Sequence, residues 1–253
     1  MIIDSHAHYD HKRFKDDRHE LLDALPSQNI KLVINIGCDI PSSKASVNLA
    51  EAYNHVYATV GVHPHDAKNL TEEGLKELEE MCSMKKVVAY GEIGLDHHYD
   101  FSPRDVQQKW FKRQLELAQK LNLPVVIHSR EAAKETFEML KLSPIRRGVI
   151  HSFSGDAELA LAYVNLGFYI GIGGVITFDK TNTLQKATAA IPLSKILLET
   201  DCPFLTPAPF RGKRNESKYL TYVAEAIGKI KGETVETVCA QTTANAYELF
   251  SIH

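Results

Sequence analysis

Two histidines separated by one residue, His6 and His8, follow a short apolar run near the start of the chain. Side chains two residues apart on a strand point to the same side, so the two imidazoles can converge on one point. Imidazole nitrogen is a common ligand of divalent metals. The pair therefore predicts part of a metal site, although a chance pair of surface histidines would have the same spacing.

Further His, Asp and Glu residues follow other apolar runs in the same way. They occur in Gly61-Val62-His63-Pro64-His65, Gly91-Glu92-Ile93-Gly94-Leu95-Asp96, His128-Ser129-Arg130, His151-Ser152-Phe153-Ser154 and Glu199-Thr200-Asp201. A single buried histidine is usually a satisfied core residue. His, Asp or Glu residues follow six of the eight predicted strands. Because a buried imidazole or carboxylate without a partner costs several kcal/mol, this recurrence indicates that the residues meet in one shared site.

The elements that must position these residues are short apolar runs rich in Val and Ile, as expected for parallel strands buried on both faces. Eight strands are predicted at residues 2–5, 32–36, 56–60, 87–90, 125–127, 148–150, 168–172 and 196–198. Amphipathic segments alternate with them, which predicts a single (β/α)8 barrel over residues 1–253. A doubly wound sheet is the structural alternative, but the chain lacks a G-x-G-x-x-G sequence after an early strand.

The clearest predicted helix spans residues 103–121, with Ser102 as its cap and Pro103 at its first position. Val106, Trp110, Leu117 and Leu121 give it one apolar face. Other helices are predicted at residues 131–140, 156–166, 217–229 and 234–250. In a barrel of this type catalytic groups come from the carboxyl ends of the strands, where the polar residues above lie.

Composition excludes several classes of protein. The net charge of −3 gives no general attraction to nucleic acid, so any phosphate contact must be local. No apolar run approaches the roughly 20 residues of a membrane span, and no signal peptide is recognisable. The four cysteines lack metal-binding or disulfide spacing, so a reducing cytoplasm is expected. No heptad repeat or exposed apolar stripe is evident, so a monomer is expected. Six further histidines are expected to be mostly solvated: His11, His19, His55, His97, His98 and His253.

Four histidines and two carboxylates at strand ends form the predicted ligand set: His6, His8, Glu92, His128, His151 and Asp201. This is more than one tetrahedral ion needs, and Glu92 could bridge two ions with one oxygen each. Such a mixed nitrogen and oxygen set does not select strongly among Zn, Mn and Mg. One or two divalent ions are therefore predicted.

The motifs DSHAH, GVHPH, GEIGLD, IHSRE, HSFSG, LLETDCPFL and RGKRNE, in this order, resemble the TatD family of metal-dependent deoxyribonucleases within the amidohydrolase superfamily. The resemblance covers residue 2 to about residue 250. It implies a (β/α)8 barrel, hydrolase activity with one or two divalent metals, and the six ligands above. Glu92 stands where some amidohydrolase relatives carry a carboxylated lysine. Cys202 replaces a small residue, with little expected consequence.

The mechanism that the resemblance implies is hydrolysis of DNA phosphodiester bonds by a metal-activated water. Asp201 would accept a proton from that water, and Glu92 would hold the two ions together. Four residues are candidate phosphate contacts: His65, Arg130, Arg211 and Lys213. The last two belong to a basic loop, Arg211-Gly212-Lys213-Arg214, which could equally be an ordinary solvated surface.

Two alternatives remain open at this stage. The same chemistry would serve an ester or amide hydrolase, such as a D-aminoacyl-tRNA deacylase. A non-catalytic barrel is disfavoured because the ligand set, including the candidate base Asp201, is complete. The sequence leaves open the physiological metal, the polarity of cleavage and the choice between terminal and internal bonds.

Overall fold

A computed structural model describes residues 1–252 and shows the predicted (β/α)8 barrel. Eight parallel strands follow the order β1-β2-β3-β4-β5-β6-β7-β8 around one sheet. Their bounds are β1 Ile2–Ala7, β2 Ile30–Ile36, β3 Val56–Val60, β4 Val87–Asp96, β5 Val125–Arg130, β6 Gly148–Ile150, β7 Tyr169–Ile172 and β8 Ile196–Leu198. Each predicted strand has a counterpart, so the alternation of apolar and amphipathic segments was a sufficient guide to the fold.

Strand β4 runs six residues further than predicted, which places Glu92 and Asp96 inside the strand rather than after it. The prediction ended before Gly91 because glycine commonly ends a strand. Here Gly91 and Gly94 are needed for the close approach of β5. A Cβ on Gly91 would lie 2.6 Å from the Val126 carbonyl oxygen, and one on Gly94 would collide with the His128 carbonyl.

Nine α-helices surround the strands in residues 1–252. They are α1 Arg18–Ala24, α2 Ile40–Ala52, α3 Glu72–Met81, α4 Arg104–Lys120, α5 Ala133–Leu142, α6 Ala157–Asn165, α7 Thr183–Ala190, α8 Leu220–Lys231 and α9 Val235–Phe250. None of these helices combines the length and the apolar character needed to cross a membrane.

The predicted cap of α4 was wrong. Pro103 is the N-cap, and no side chain caps the helix. The Ser102 hydroxyl instead donates to the carbonyl oxygen of His65 at 2.8 Å and accepts from the Lys68 amide at 3.0 Å. Ser102 therefore anchors the loop after β3, which carries His65, to the start of α4.

Apolar side chains fill the amino-terminal part of the barrel. Ile3, Ile34 and Leu197 belong to a buried cluster that also contains Leu249 and Phe250 of α9. The Thr243 hydroxyl of α9 donates to the Met1 carbonyl at 3.1 Å, so α9 lies at the amino-terminal end of β1. Because this end is packed, the polar residues are confined to the carboxyl ends of the strands.

The first and last strands meet at a polar seam. The Asp201 amide donates to the His6 carbonyl, and the His8 amide donates to the Cys202 carbonyl, both at 2.9 Å. The buried Asp4 carboxylate accepts from the hydroxyls of Thr200 at 2.7 Å and Ser217 at 2.6 Å. Burial raises the pKa of Asp4 to about 6 in spite of these hydrogen bonds.

Candidate metal centre

A cavity of about 730 Å³ opens at the carboxyl ends of the strands. Five of the six predicted ligands line it, and the sixth, His6, is buried directly beneath. The lining also includes Cys38, His63, His65, Tyr99, Arg130 and Phe204. The strand-end residues identified in the sequence therefore share one site.

Glu92 lies at the centre of this site with its side chain 4% exposed. Its Oε1 atom is 2.8 Å from His151 Nε2 and 2.9 Å from His128 Nδ1. Its Oε2 atom is 3.4 Å from His6 Nε2. The two carboxylate oxygens thus face different histidines, which is the arrangement required of a carboxylate that bridges two ions.

Asp201 lies beside His8 and His6. Its Oδ1 atom is 3.2 Å from His8 Nε2 and 3.7 Å from His6 Nε2. The His6 and His8 Nε2 atoms are themselves 3.2 Å apart. The Asp201 side chain is 18% exposed, so it is the more accessible of the two carboxylates in the set.

Oxygen atoms outside the predicted set orient the histidines. His8 Nδ1 contacts the Ile36 carbonyl at 3.2 Å, and His128 Nε2 contacts Asp96 Oδ2 at 3.1 Å. His151 Nδ1 faces Glu199 Oε1 at 3.7 Å, an ion-pair distance beyond hydrogen-bond range. A histidine whose outer nitrogen donates to oxygen leaves the other nitrogen free to bind a metal, and such oxygens fix the ring orientation.

His63 was not assigned a role from the sequence, yet it lies in the cluster with its Nε2 atom 3.6 Å from Glu92 Oε1. Its Nδ1 atom accepts a hydrogen bond from the His65 amide at 3.1 Å. A neutral imidazole has one donor and one acceptor nitrogen, so Nε2 carries the proton. His63 is therefore positioned as a hydrogen-bond donor rather than as a metal ligand.

Three other residues of the site were also missed: Cys38, Asp96 and Glu199. The predicted ligand set contains no residue from the end of β2, but Cys38 Sγ lies 3.6 Å from Glu92 Oε2 and 3.8 Å from His8 Nδ1. Asp96 and Glu199 both follow apolar runs, so their positions in the sequence carried a usable signal. The predicted set contains only two carboxylates, Glu92 and Asp201, and lacks these buried partners of the histidines.

The charges of the cluster shift its pKa values in opposite directions. Burial alone would raise the pKa of Glu92, but the neighbouring histidines, His151 first among them, hold it well below its ordinary value. Burial alone would lower the pKa of His151, but Glu92 raises it well above the ordinary value. Burial lowers the pKa of His63 strongly, which agrees with a neutral ring. In the protein without metal, an ionised Glu92 therefore lies beside a protonated His151, while His63 is neutral.

The residues present fit divalent cations. Two groups bring possible ligand atoms within 4.8 Å of one another: His6, His8 and Glu92; and His6, His151 and Glu199. Glu92 and His128 form a third such group with His63, which is placed as a donor. In the described chain, the buried His6 Nδ1, His151 Nδ1 and Glu199 Oε2 atoms have no hydrogen-bond partner. Buried polar atoms normally have partners, so these three atoms are available to further ligands. The convergence of imidazole nitrogens and carboxylate oxygens fits a metal centre.

The four candidate phosphate contacts are placed in two environments. His65 and Arg130 line the cavity; His65 Nε2 contacts Asp96 Oδ2 at 2.9 Å. Arg211 packs on the Phe178 ring at 3.9 Å and donates to the Thr206 carbonyl at 2.8 Å. Lys213 is exposed, and its Nζ lies 5.5 Å from the Phe210 ring. Among the described residues, the cavity lining includes the first pair and omits the second.

Among the histidines expected to be solvated, His19 and His98 are exposed and His11 and His55 are partly exposed. His97 departs from this expectation, because its side chain is only 10% exposed and its Nε2 atom lies 3.5 Å from Glu135 Oε2. His11 nevertheless lines the mouth of the cavity, with its ring 5.3 Å from that of Phe204. His253 lies outside the described residues.

Comparison with known proteins identifies the family of the chain. The family model described as TatD related DNase matches residues 3–251. The chain is 40% identical over 255 residues to an uncharacterized metal-dependent hydrolase of Bacillus subtilis, YabD, with all of both chains covered. It is 32% identical over 247 residues to the 3′-5′ ssDNA/RNA exonuclease TatD of Salmonella typhimurium, with 95% of each chain covered.

The fold agrees equally well with a solved structure. The TatD homologue YjjV of Escherichia coli superimposes with a TM-score of 0.94 at 32% identity, covering 100% of this chain and 98% of the other. The barrel, the His and Glu cluster at its carboxyl end and the match of the family model over almost the entire length agree with one another. The chain belongs to the TatD family of metal-dependent hydrolases.

Proposed function

We propose that this protein is a divalent-metal-dependent deoxyribonuclease that cleaves phosphodiester bonds of DNA. The observation that carries the proposal is the position of Glu92 between two sets of imidazoles, with Asp201 open to the cavity beside them. The name of the Salmonella typhimurium relative, a 3′-5′ ssDNA/RNA exonuclease, supports a nucleic-acid substrate.

Six residues are proposed to hold one or two divalent ions: His6, His8, Glu92, His128, His151 and Asp201. Each of the four histidines directs one ring nitrogen toward Glu92 or Asp201. Cys38 adds a thiol beside Glu92, but the set is otherwise nitrogen and oxygen, so Mg, Mn and Zn are all candidates. Bound divalent ions supply charge neutralisation at phosphate and lower the pKa of a water molecule.

Asp201 is the proposed proton acceptor. The hydrogen bond from His8 and the charges on His6 and His151 outweigh burial and lower the pKa of Asp201, so it is ionised at neutral pH. Its side chain is accessible from the cavity, whereas Glu92 is almost fully enclosed. Asp201 can therefore receive a proton from a water in the cavity, while Glu92 is confined to holding the cluster together.

The substrate phosphate is proposed to contact His65 and Arg130 first. Both line the cavity, and a guanidinium fork suits the oxygens of a phosphate group. The neutral His63 contributes a third donor through Nε2. Arg211 and Lys213 would contact a longer strand beyond the cavity.

An end-labelled single-stranded DNA tests the proposal. Protein freed of metal by a chelator is incubated with Mg, Mn or Zn in turn, and Asp201→Asn is tested in parallel. We expect metal-dependent shortening of the DNA that is lost in Asp201→Asn, and the labelled end reports the polarity. Asp66→Asn is the matched control, because Asp66 also lines the cavity but its side chain hydrogen-bonds only exposed Asn69.

Two results would overturn the proposal. Cleavage by Asp201→Asn at the wild-type rate would remove Asp201 from the chemistry. Failure to cleave DNA with any of the three metals, together with turnover of an aminoacyl-tRNA or another ester, would show a carbonyl hydrolase instead.

We further propose that the protein acts as a cytoplasmic monomer. Its four cysteines are free in the described structure, as a reducing compartment would keep them. Sedimentation equilibrium tests the monomer, since a mass of twice 28.3 kDa would contradict it.

A further inference from the structure

Three exposed aromatic rings lie around the mouth of the cavity. Tyr99 is 47% exposed, Phe101 54% and Phe204 40%. The other exposed large apolar side chains of residues 1–252 are the non-aromatic Met1, Met84, Leu142 and Leu161. Exposure of large rings costs free energy, so their restriction to one face of the barrel indicates a binding role.

Tyr99 and Phe101 form one group of rings, on the loop that follows β4. They stack with centroids 5.0 Å apart and planes 12° from parallel. The Arg130 guanidinium lies 4.7 Å from the Tyr99 ring, and the edge of His65 meets the Phe101 ring at 4.8 Å. We call Tyr99, Phe101 and Arg130 the β4 platform; through His65 it is continuous with the metal centre.

Phe204 forms a second group on the loop that follows β8. The Phe204 amide donates to the Asp201 carbonyl at 2.9 Å, so the backbone of Phe204 lies close to the proposed base. The Arg13 guanidinium lies 5.4 Å from the ring, and His11 packs edge-on at 5.3 Å. We call Phe204, Arg13 and His11 the β8 platform.

The strand order places the two platforms opposite each other. In an eight-stranded barrel with strands in sequence order, β4 and β8 are separated by half the circumference. The Glu92 cluster lies between them at the cavity floor. A strand that crosses the mouth from one platform to the other must therefore pass over the metal centre.

Each platform combines the two features that recognise an unpaired nucleotide. Exposed aromatic faces stack on bases of any sequence, and arginine beside a ring both stacks and attracts phosphate. A duplex cannot use these rings, because its bases are already stacked and paired. A purely apolar partner would not explain why each platform carries a guanidinium.

We propose that the β4 and β8 platforms bind one nucleobase each, on the two sides of the cleaved phosphodiester, and thereby select single-stranded over duplex nucleic acid. This inference rests on the proposed function, which it deepens by naming how the substrate is held. It assigns Tyr99, Phe101 and Phe204 as residues that determine specificity rather than as parts of the hydrolytic machinery.

Binding of short oligonucleotides separates this inference from the hydrolysis itself. The metal-loaded protein is titrated against three fluorescent phosphorothioate ligands that resist cleavage: a single strand, the same strand with every base replaced by an abasic spacer, and a duplex. We expect the base-bearing single strand to bind most tightly. Tyr99→Leu, Phe101→Leu and Phe204→Leu should each weaken its binding by about 5- to 100-fold and leave the abasic strand within about twofold of wild type.

Two variants control for folding and for ring chemistry. Tyr57→Leu removes a ring that, like those of the platforms, lies beside a cation, with Lys86 Nζ 5.5 Å from its centroid. Tyr57 lies near the amino-terminal end of β3, away from the cavity. It should bind as wild type. Tyr99→Phe keeps the ring and should also retain binding.

The outcomes distinguish this inference from the proposed function. Three results would refute base binding by the platforms even if DNA is hydrolysed. They are equal binding of the abasic and base-bearing strands, no binding of either strand, and wild-type binding by the platform variants. Ring-dependent binding without hydrolysis by any metal would uphold the platforms and refute the nuclease.

Discussion

Asp96 provides the sharpest test of how the site is oriented. Its Oδ2 atom contacts His65 Nε2 at 2.9 Å and His128 Nε2 at 3.1 Å, while Oδ1 accepts from the amides of His98 and Tyr99, both at 3.0 Å. These contacts lower the pKa of Asp96 in spite of its burial. Asp96 thus accepts hydrogen bonds on both oxygens, from two rings and from two backbone amides.

Asp96→Asn keeps the shape of the side chain but replaces one acceptor by a donor. If the amide nitrogen faces the rings, it donates to His128 Nε2, and the proton of that ring must move to Nδ1. Nδ1 faces Glu92 and is the atom proposed to bind metal, so its lone pair is lost. If the amide turns over, its NH2 group faces the two backbone amides instead, and those donors lose their acceptor.

Either orientation weakens the support of a metal ligand, which typically costs 10- to 100-fold in metal affinity or activity, or about 1.4–2.7 kcal/mol. Competition with a chromophoric chelator measures the affinity for Zn or Mn directly. Glu131→Gln is the matched control, because Glu131 pairs with His98 Nδ1 at 2.6 Å but is exposed and away from His128. We expect it to change affinity less than twofold. Asp96→Asn with wild-type affinity would refute the proposed orientation of His128.

Three further predictions concern the same site. The raised pKa of His151 means that the metal-free protein holds a proton there that metal must displace. Metal affinity should therefore rise with pH. The same proton stabilises the metal-free fold: this contribution to the free energy of unfolding is complete below about pH 6.5 and should be lost as pH rises through the raised pKa of His151. Calorimetry in buffers of different ionisation enthalpy counts the protons, and no release at pH 7 would contradict it. Gly171→Ala places a Cβ against Glu199 Oε2 and should lower metal affinity about tenfold by displacing the carboxylate behind His151, as chelator competition would show. Charge reversal at Arg211 and Lys213 should raise KM for DNA and flatten its dependence on salt, and an unchanged KM would exclude this loop from the substrate path.

Much of the barrel and the composition of its site could be predicted because both depend on local patterns. Apolar runs rich in Val and Ile marked the strands, and the residue after each run marked the site. Glu92 and His151 could be expected to meet because the carboxyl ends of parallel strands share one end of a barrel. No long-range information was needed for that inference.

The roles of individual residues were harder to predict, because side-chain direction alternates regularly only while the backbone is extended. In His63-Pro64-His65 the chain has already left β3, and a turn of 3-10 helix begins at Pro64. The His65 amide then donates to His63 Nδ1, which directs His63 toward Glu92 and leaves His65 against Asp96. Only the turn geometry separates these two roles, and a strand pattern does not contain it.

The seam between β1 and β8 gives the metal a consequence for folding. His6 and Asp201 lie on opposite sides of the seam, and their side chains approach to 3.7 Å although 194 residues separate them along the chain. A contact between residues so far apart in sequence costs much loop-closure entropy and forms slowly during folding. An ion bound to both would fasten the two ends of the sheet together and stabilise only the closed barrel. The cation would then stabilise the closed barrel as well as take part in catalysis. Its removal should first increase hydrogen exchange at the amides of Asp201 and His8, which hydrogen-bond across the seam.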